Sequence, residues 1–424
     1  MNKNQPVRIA SLFAAFVAAT AMVIGTALPS SAFTSVPPSG KPIPREFMGM
    51  HVLSVSSYLW PDVLTGTARM WDTGTSWRDI EPRKGRYQWA SLDAAVAATK
   101  ASGSQVLLVL GPTPAWAASA QNKKYDIKGP GSSSPPAKTS DFTKYVNAVT
   151  NRYKGRIEAY QIWNEANLLN FWRGTPAQMA DLTQAAYKVI RKNDPNAKVV
   201  AASTTIRKAD DYQKFFPKYL SELKKRKWPI DVLAVHAYPT GQEAPADRVR
   251  YLELARQDIA AAGATQFPIW DTEVNYGLAG PGAVPKAVLS DATQQAYLAQ
   301  TYLDSARLGI ERTYWYAWAP PGDLLGVVTW PGSAAAKTYG VVGNWIVNGV
   351  YQGCTNQAPI VACDYSGLPH SGSGRVKFVW SQSGPAAYAL PIGASSMQDV
   401  NGTWTPVSAG GVITVTQSPI MIIF

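Results

Sequence analysis

From Phe47 onward, short runs of apolar residues alternate with longer stretches whose apolar positions recur every three or four residues. Eight runs read as strands: "FMGMHV", "TARMWD", "QVLLVLG", "EAYQIWNE", "KVVAAST", "DVLAVHAYP", "FPIWDTEVNYG" and "RTYWYAWAP". Runs this apolar suit parallel strands covered by helices. Between them, Phe142, Tyr145, Val146, Val149 and Tyr153 repeat at helical spacing after Ser140. "TPAQ" opens another helix: Thr175 can cap it, Pro176 fits the first turn, and Gln178 completes a capping box. A seventh helix is expected from Asp291 to Leu308, stopping at Gly309, and an eighth from Tyr339 to Val347. Eight strand–helix units across residues 47–350 point to a (β/α)8 TIM barrel, a fold of ~250 residues or more. A doubly wound open sheet is the alternative, but no GxGxxG turn follows the first strand and eight units suit closure.

The pattern changes at both ends. Residues 1–32 carry a basic flank (Lys3, Arg8), an apolar stretch from Ile9 to Gly25 and small residues at Ser30-Ser31-Ala32. This is the layout of a secretory signal peptide cleaved after Ala32, and the apolar run is short for a membrane span. The expected location is therefore secreted, with no membrane contact beyond that segment. Residues 33–46 form a proline-rich lead-in with little structure of its own. Beyond Tyr351, "GRVKFVW", "AAYALPI", "GGVITVT" and "PIMIIF" alternate with Gly, Ser and Pro turns, so residues 351–424 read as a small all-β, sandwich-like domain packed on the barrel. Two connections are long: "TPAWAASAQNKKYDIKGPGSSSPPAK" after the third strand and "LAGPGAVPKAVLS" after the seventh. Both leave the C-terminal ends of strands, the face where TIM-barrel active sites lie.

Composition narrows the function. With 46% hydrophobic and 16% charged residues the chain is globular. Its 15 tryptophans and 20 tyrosines suit stacking on sugar rings, although most must be core. The net charge of +12 is spread along the chain, apart from "KKRK" at Lys224 to Lys227, which reads as a solvated helix end. For an exported chain that excludes nucleic acid as a partner and leaves room for attraction to acidic envelope polymers. Cys354 and Cys363 lie close together in a loop-rich region, and in an exported protein a local disulfide is the favoured reading.

Glutamate occurs at positions 46, 81, 158, 165, 222, 243, 253, 273 and 311. Of these, Glu165 and Glu273 stand at the C-terminal ends of the fourth and seventh strands. Glu158 and Glu311 precede their strands and belong near the opposite face. Strands four and seven lie across an eight-stranded barrel, so their tips can flank a ligand. Two carboxylates converging on one cavity is the arrangement that glycoside hydrolysis needs. The three histidines, His51, His236 and His370, are too scattered for a histidine-rich metal site, and HExxH, GxxxxGK[ST] and GxSxG are absent. No metal or cofactor is expected.

"IWNEAN" and "IWDTEVNY" resemble the acid/base and nucleophile signatures of clan A retaining glycoside hydrolases. "RMWDTGTSWRDIEPRKGRYQWASLDAAVAATKASG" and the barrel-plus-β layout resemble family 39 of that clan. The resemblance implies that Glu165 is the acid/base and Glu273 the nucleophile. It also implies that Asn164 contacts the sugar 2-hydroxyl and that Arg69 steadies the nucleophile as its carboxylate. His236 and Tyr238 resemble residues that line the site. Trp315 or Trp318 could supply a stacking platform, with Trp116 and His51 as further candidates for the cleft wall. The expected function is a secreted retaining glycosidase acting by double displacement on an extracellular or cell-envelope oligo- or polysaccharide. The alternatives are a transglycosylase using the same two glutamates and a barrel that binds carbohydrate without turning it over.

Overall fold

The computed structural model describes residues 39–53, 60–280, 285–369 and 374–424. The signal segment, the cleavage point after Ala32, the start of the lead-in and His370 lie outside the described residues.

Nine parallel strands form one curled sheet: β1 (Met48–Val52), β2 (Thr67–Met70), β3 (Gln105–Val109), β4 (Ala159–Gln161), β5 (Lys198–Val200), β6 (Thr204–Thr205), β7 (Leu233–His236), β8 (Ile269–Val274) and β9 (Ile310–Trp318). β5 and β6 are the two halves of the fifth predicted strand. A parallel bridge from Val200 to Val232 joins β5 to the segment leading into β7, which closes the barrel. Predicted strands six, seven and eight are thus β7, β8 and β9. The interior is plugged by Leu107, Ala159, Val200, Val232, Ala234, Trp270 and Tyr314, a packed core and not a pore.

The helices are α1 (Trp77–Ile80), α2 (Ala90–Ala101), α3 (Thr139–Arg152), α4 (Pro176–Asn193), α5 (Ala209–Lys225), α6 (Pro245–Ala262), α7 (Asp291–Arg307) and α8 (Ala334–Ile346). The predicted apolar face of α3 is buried throughout. Thr175 and Gln178 form the expected reciprocal box: the Gln178 N–H donates to Thr175 Oγ1 at 3.1 Å, and the Thr175 N–H donates to Gln178 Oε1 at 2.8 Å. Two helical expectations change. No helix lies between β1 and β2 among the described residues, so the first unit is incomplete and the short α1 supplements the second. α8 begins before Tyr339, because Ser333 caps it by accepting the Ala336 N–H.

After the barrel, strands β10 (Val350–Gln357), β11 (Ile360–Ser366), β12 (Val376–Ser381), β14 (Ser396–Gln398), β15 (Trp404–Pro406) and β17 (Ile420–Ile423) form an antiparallel sheet. β13 (Ala386–Ala389) pairs with β16 (Val412–Val415). The cysteines do not lie in a loop-rich region. They face each other across the β10–β11 hairpin and form a disulfide. The sequence hid this hairpin because the side chains of β10 are mostly exposed or half-buried, so its polar residues masked the strand pattern. The described part of the lead-in is pinned too: the Ile43 N–H donates to Gly349 O at 2.9 Å and the Asn348 N–H to Ile43 O at 2.8 Å.

A single apolar cluster runs from Met48 and Trp315 in the barrel wall, through Tyr302 of α7 and Trp345 of α8, to Phe378, Trp380 and Met421 of the β sheet. Trp345 stacks on Phe378 at 5.5 Å between ring centres, and its indole N–H reaches Gln398 Oε1 at 2.7 Å. Residues 351–424 expressed alone would expose their part of this core, including Phe378, Trp380 and Met421, to water. We expect that fragment to show no cooperative thermal transition, and the whole chain to show one. A folded fragment in calorimetry would refute the shared core.

Candidate active site

The acid pair is positioned by two different devices. At the end of β4, the chain from Trp163 to Asn167 is stitched to the gap between β5 and β6. The Ser203 N–H donates to Trp163 O at 3.1 Å, the Ala166 N–H donates to Ser203 O at 2.9 Å, and the Glu165 N–H reaches Ser203 Oγ at 3.0 Å. Asn167 closes the stitch by exchanging two bonds of 2.9 Å with the Thr205 backbone. Glu165 itself has φ of 42°, a left-handed conformation that a glutamate holds only where its surroundings dictate it. Beneath it the Trp163 ring packs so tightly on Gly111 that a Cβ there would lie 2.9 Å from the ring. Glu273, by contrast, is inside β8, and its placement is that of the strand.

Arg69, buried at the end of β2, organises the floor. Its Nη1 donates to Glu273 Oε1 at 2.5 Å and to His51 Nε2 at 2.9 Å, its Nη2 to Asn164 Oδ1 at 2.8 Å, and its Nε to Gln161 Oε1 at 2.7 Å. Because a guanidinium only donates, Asn164 must turn its carbonyl inward and present its NH2 to the cavity. Tyr238 OH donates to the other oxygen of Glu273 at 2.9 Å. His236 Nδ1 stands 3.2 Å from Glu165 Oε1 and 3.5 Å from Glu273 Oε2. Burial pushes its pKa down to about 3, so it is a neutral ring donating towards the carboxylates. His51 is neutral for the same reason, with Arg69 adding to the effect. An oxygen of Glu165, one of Glu273 and the His236 nitrogen all lie within 4.8 Å of one another.

The two carboxyls are not electrostatically alike. Glu273 bonds a buried cation at 2.5 Å. Glu165 contacts no cation at that range, and burial raises its pKa, with Arg207 and Arg69 opposing from farther off. One group is paired with a buried cation and the other is inclined to keep its proton, a division that suits a nucleophile and an acid.

Of the residues singled out in the sequence, the structure brings together Glu165, Glu273, Asn164, Arg69, His236, Tyr238 and His51. Three tryptophans go elsewhere. Trp315 and Trp318 are fully buried in the outer core cluster, against Tyr276 and Trp330, and neither can serve as a platform. The aromatic of β9 that faces the site is Tyr316, its ring 4.8 Å from His51 and 6.4 Å from Tyr238, with its OH donating to Asp72 Oδ2 at 3.2 Å. Trp116 braces the loop after β3, donating to Glu81 O at 2.8 Å and packing on Trp77.

Further residues were missed. Gln161 was visible as a polar residue inside an apolar run. Asp271 gave a weaker signal in "IWDTE". It accepts the Ala237 N–H at 3.1 Å, fixing the backbone between His236 and Tyr238, and is neutralised by buried Arg248 at 2.7 Å. Glu158 and Glu311 do fall at the opposite ends of their strands: Glu158 accepts the Val106 N–H at 2.7 Å, and Glu311 the Trp270 indole at 2.5 Å.

A closed (β/α)8 barrel carrying Asn-Glu after its fourth strand, a second glutamate in its seventh and, from its second, an arginine that bonds that asparagine and the second glutamate is the architecture of a clan A glycoside hydrolase. Solved structures share the architecture. A family 39 glycoside hydrolase from Bacteroides cellulosilyticus WH2 superposes with a TM-score of 0.66 at 16% identity, covering 90% of this chain and 81% of that one. A glucosidase from Croceicoccus marinus gives 0.64 at 13% identity, covering 92% and 97%. A family 39 β-xylosidase from Caulobacter crescentus gives 0.62 at 14%, covering 92% and 97%. At such identities these likenesses establish the fold, and family 39 recurs among them as the strand-two segment led us to expect. The sequence model of glycosyl hydrolase family 10 matches residues 72–299, more than half of the chain, and the protein belongs to that family. It is a retaining glycoside hydrolase by class. No helix among the described residues is long and apolar enough to cross a membrane.

Proposed function

We propose that the protein is an exported glycosidase that cleaves β-xylosides or related glycosides of an extracellular or cell-envelope saccharide by double displacement. The observation that carries the mechanism is the approach of an oxygen of Glu165 to within 4.8 Å of an oxygen of Glu273, with Glu273 alone bonded to Arg69. Retaining enzymes hold the pair about 5–5.5 Å apart and inverting ones about 6.5–9.5 Å, to admit a water between. An oxygen of each carboxyl within 4.8 Å of the other supports the retaining arrangement.

Glu273 attacks the anomeric carbon while Glu165 gives its proton to the leaving oxygen. The sugar is then held as an ester of Glu273, and Glu165, now a carboxylate, takes a proton from the incoming water as that water attacks. Asn164 presents its NH2 where a sugar 2-hydroxyl would accept it, a contact that tightens as positive charge builds at the ring. A panel of chromogenic glycosides and polysaccharides tests the reading. The first-formed product should keep the anomeric configuration of the substrate by NMR, and product lengths should separate exo from endo action. An inverted first product would overturn it. Export is checked by N-terminal sequencing of secreted protein, which should begin at Phe33.

The pH dependence follows from Glu165. Its pKa is raised, so the acid form persists above the usual carboxylate range; kcat/KM is retained below that pKa and lost as pH rises through it. His236, already neutral, contributes no limb near neutrality. In Glu165→Gln, assayed on an aryl glycoside whose leaving group needs no proton, the alkaline limb should vanish. A limb that persists there belongs to another group.

A further inference from the structure

Arg207 follows β6 at the end of the fifth barrel strand, between the tip that carries Glu165 and the tip that carries Tyr238. Its guanidinium lies 5.3 Å from the centre of the Tyr238 ring, the same tyrosine whose hydroxyl holds Glu273. Of the charges acting on Glu165, that of Arg207 opposes the effect of burial most, ahead of Arg69. Both facts put the cation at the edge of the reacting centre.

What distinguishes it is the lack of partners. Arg69 satisfies four acceptors and buried Arg248 is paired with Asp271. Arg207 has Nε and Nη1 buried without a hydrogen-bond acceptor, and it forms no ion pair among the described residues. A fork of N–H groups withdrawn from water and left unmade is costly. Each of these two donors shares an edge of the guanidinium with Nη2, and either edge matches the two oxygens of a carboxylate, sulfate or phosphate. Glu165, the acid on which its charge acts, is engaged with His236, and the neighbouring acids of the site are engaged too: Asp72 with Tyr316 and Lys128, Glu273 with Arg69.

We propose that Arg207 receives an anionic substituent of the saccharide, so that the enzyme takes acidic glycans, with the oxyanion carried on a sugar beside the cleaved bond. The net charge of +12 would favour the approach of such polymers, which repel acidic enzymes. The proposal rests on the glycosidase reading of the cleft, but its test does not use turnover. Calorimetric titration of the full-length protein with glucose, glucuronate, glucose 6-sulfate and glucose 6-phosphate compares one neutral sugar with three anions of the same ring. Wild type should bind at least one anion tenfold or more tighter than glucose, and which one identifies the substituent. In Arg207→Gln that preference should fall to about unity, while Arg207→Lys, which keeps the charge and loses the fork, should keep part of it. A wild-type protein that binds glucose as well as all three anions overturns the proposal, as does a preference that survives in Arg207→Gln. Absence of hydrolysis across the chromogenic panel with the anion preference intact would instead count against the glycosidase reading.

Discussion

Glu273→Ala is expected to lower kcat/KM by about four orders of magnitude while leaving substrate binding measurable, because the first chemical step loses its attacking atom. The side chain removed is an acceptor for Arg69 and Tyr238 at 2.5 and 2.9 Å, so its loss also opens a small polar space against the anomeric carbon. Azide can occupy that space. Since Glu165 is still present to protonate the leaving oxygen, azide should attack directly and yield a glycosyl azide of inverted configuration. Recovery of activity with azide, and the inverted product by NMR, would separate loss of the nucleophile from misfolding. Wild-type turnover by Glu273→Ala would leave the assignment untenable.

Arg69→Met should have the second largest effect, and on two observables at once. It leaves Glu273, Asn164, Gln161 and His51 facing an apolar side chain in a site without ready access to water. Breaking one side of a buried ion pair costs about 3–5 kcal/mol, because the other charge stays behind unpaired. The midpoint of thermal unfolding should fall by on the order of 5 °C, and kcat/KM by about a thousandfold, as Glu273 loses its paired cation and Asn164 its fixed orientation. Activity lost at unchanged stability would mean that the network is looser than its distances suggest. Arg69→Lys should recover stability better than activity, since one ammonium cannot satisfy four acceptors.

The sequence made the strands and the acid pair legible for the same reason: both are local. An apolar run ending in Asn-Glu announces itself within six residues, and two such ends in the right strands imply a common cavity once closure is assumed. Register is not local. In "RTYWYAWAP" Tyr314 faces the barrel interior and Tyr316 the site while Trp315 and Trp318 face outward, and nothing in the run announces that choice; the pairing across β1 and β8, with its register shifts, decides it. The β10–β11 hairpin was hidden because the mostly exposed and half-buried side chains of β10 carry no burial signal. Arg207 escaped notice because an arginine after a strand is ordinary; what marks it is the absence of a partner, which only three dimensions reveal.

The short distance between the two carboxyls has a further meaning. Before reaction the pair carries one negative charge, on Glu273, and one proton, on Glu165. In the glycosyl-enzyme Glu273 is a neutral ester and Glu165 is the anion. The cluster therefore holds a single negative charge throughout, passed between carboxyls that have an oxygen each within 4.8 Å of the other. The neutral ring of His236 lies close to both resting places, 3.2 Å from Glu165 and 3.5 Å from Glu273, so the surrounding dipoles need hardly turn as the charge crosses. A rigid, dry interior that would resist creating a new charge offers little resistance to moving one it already solvates.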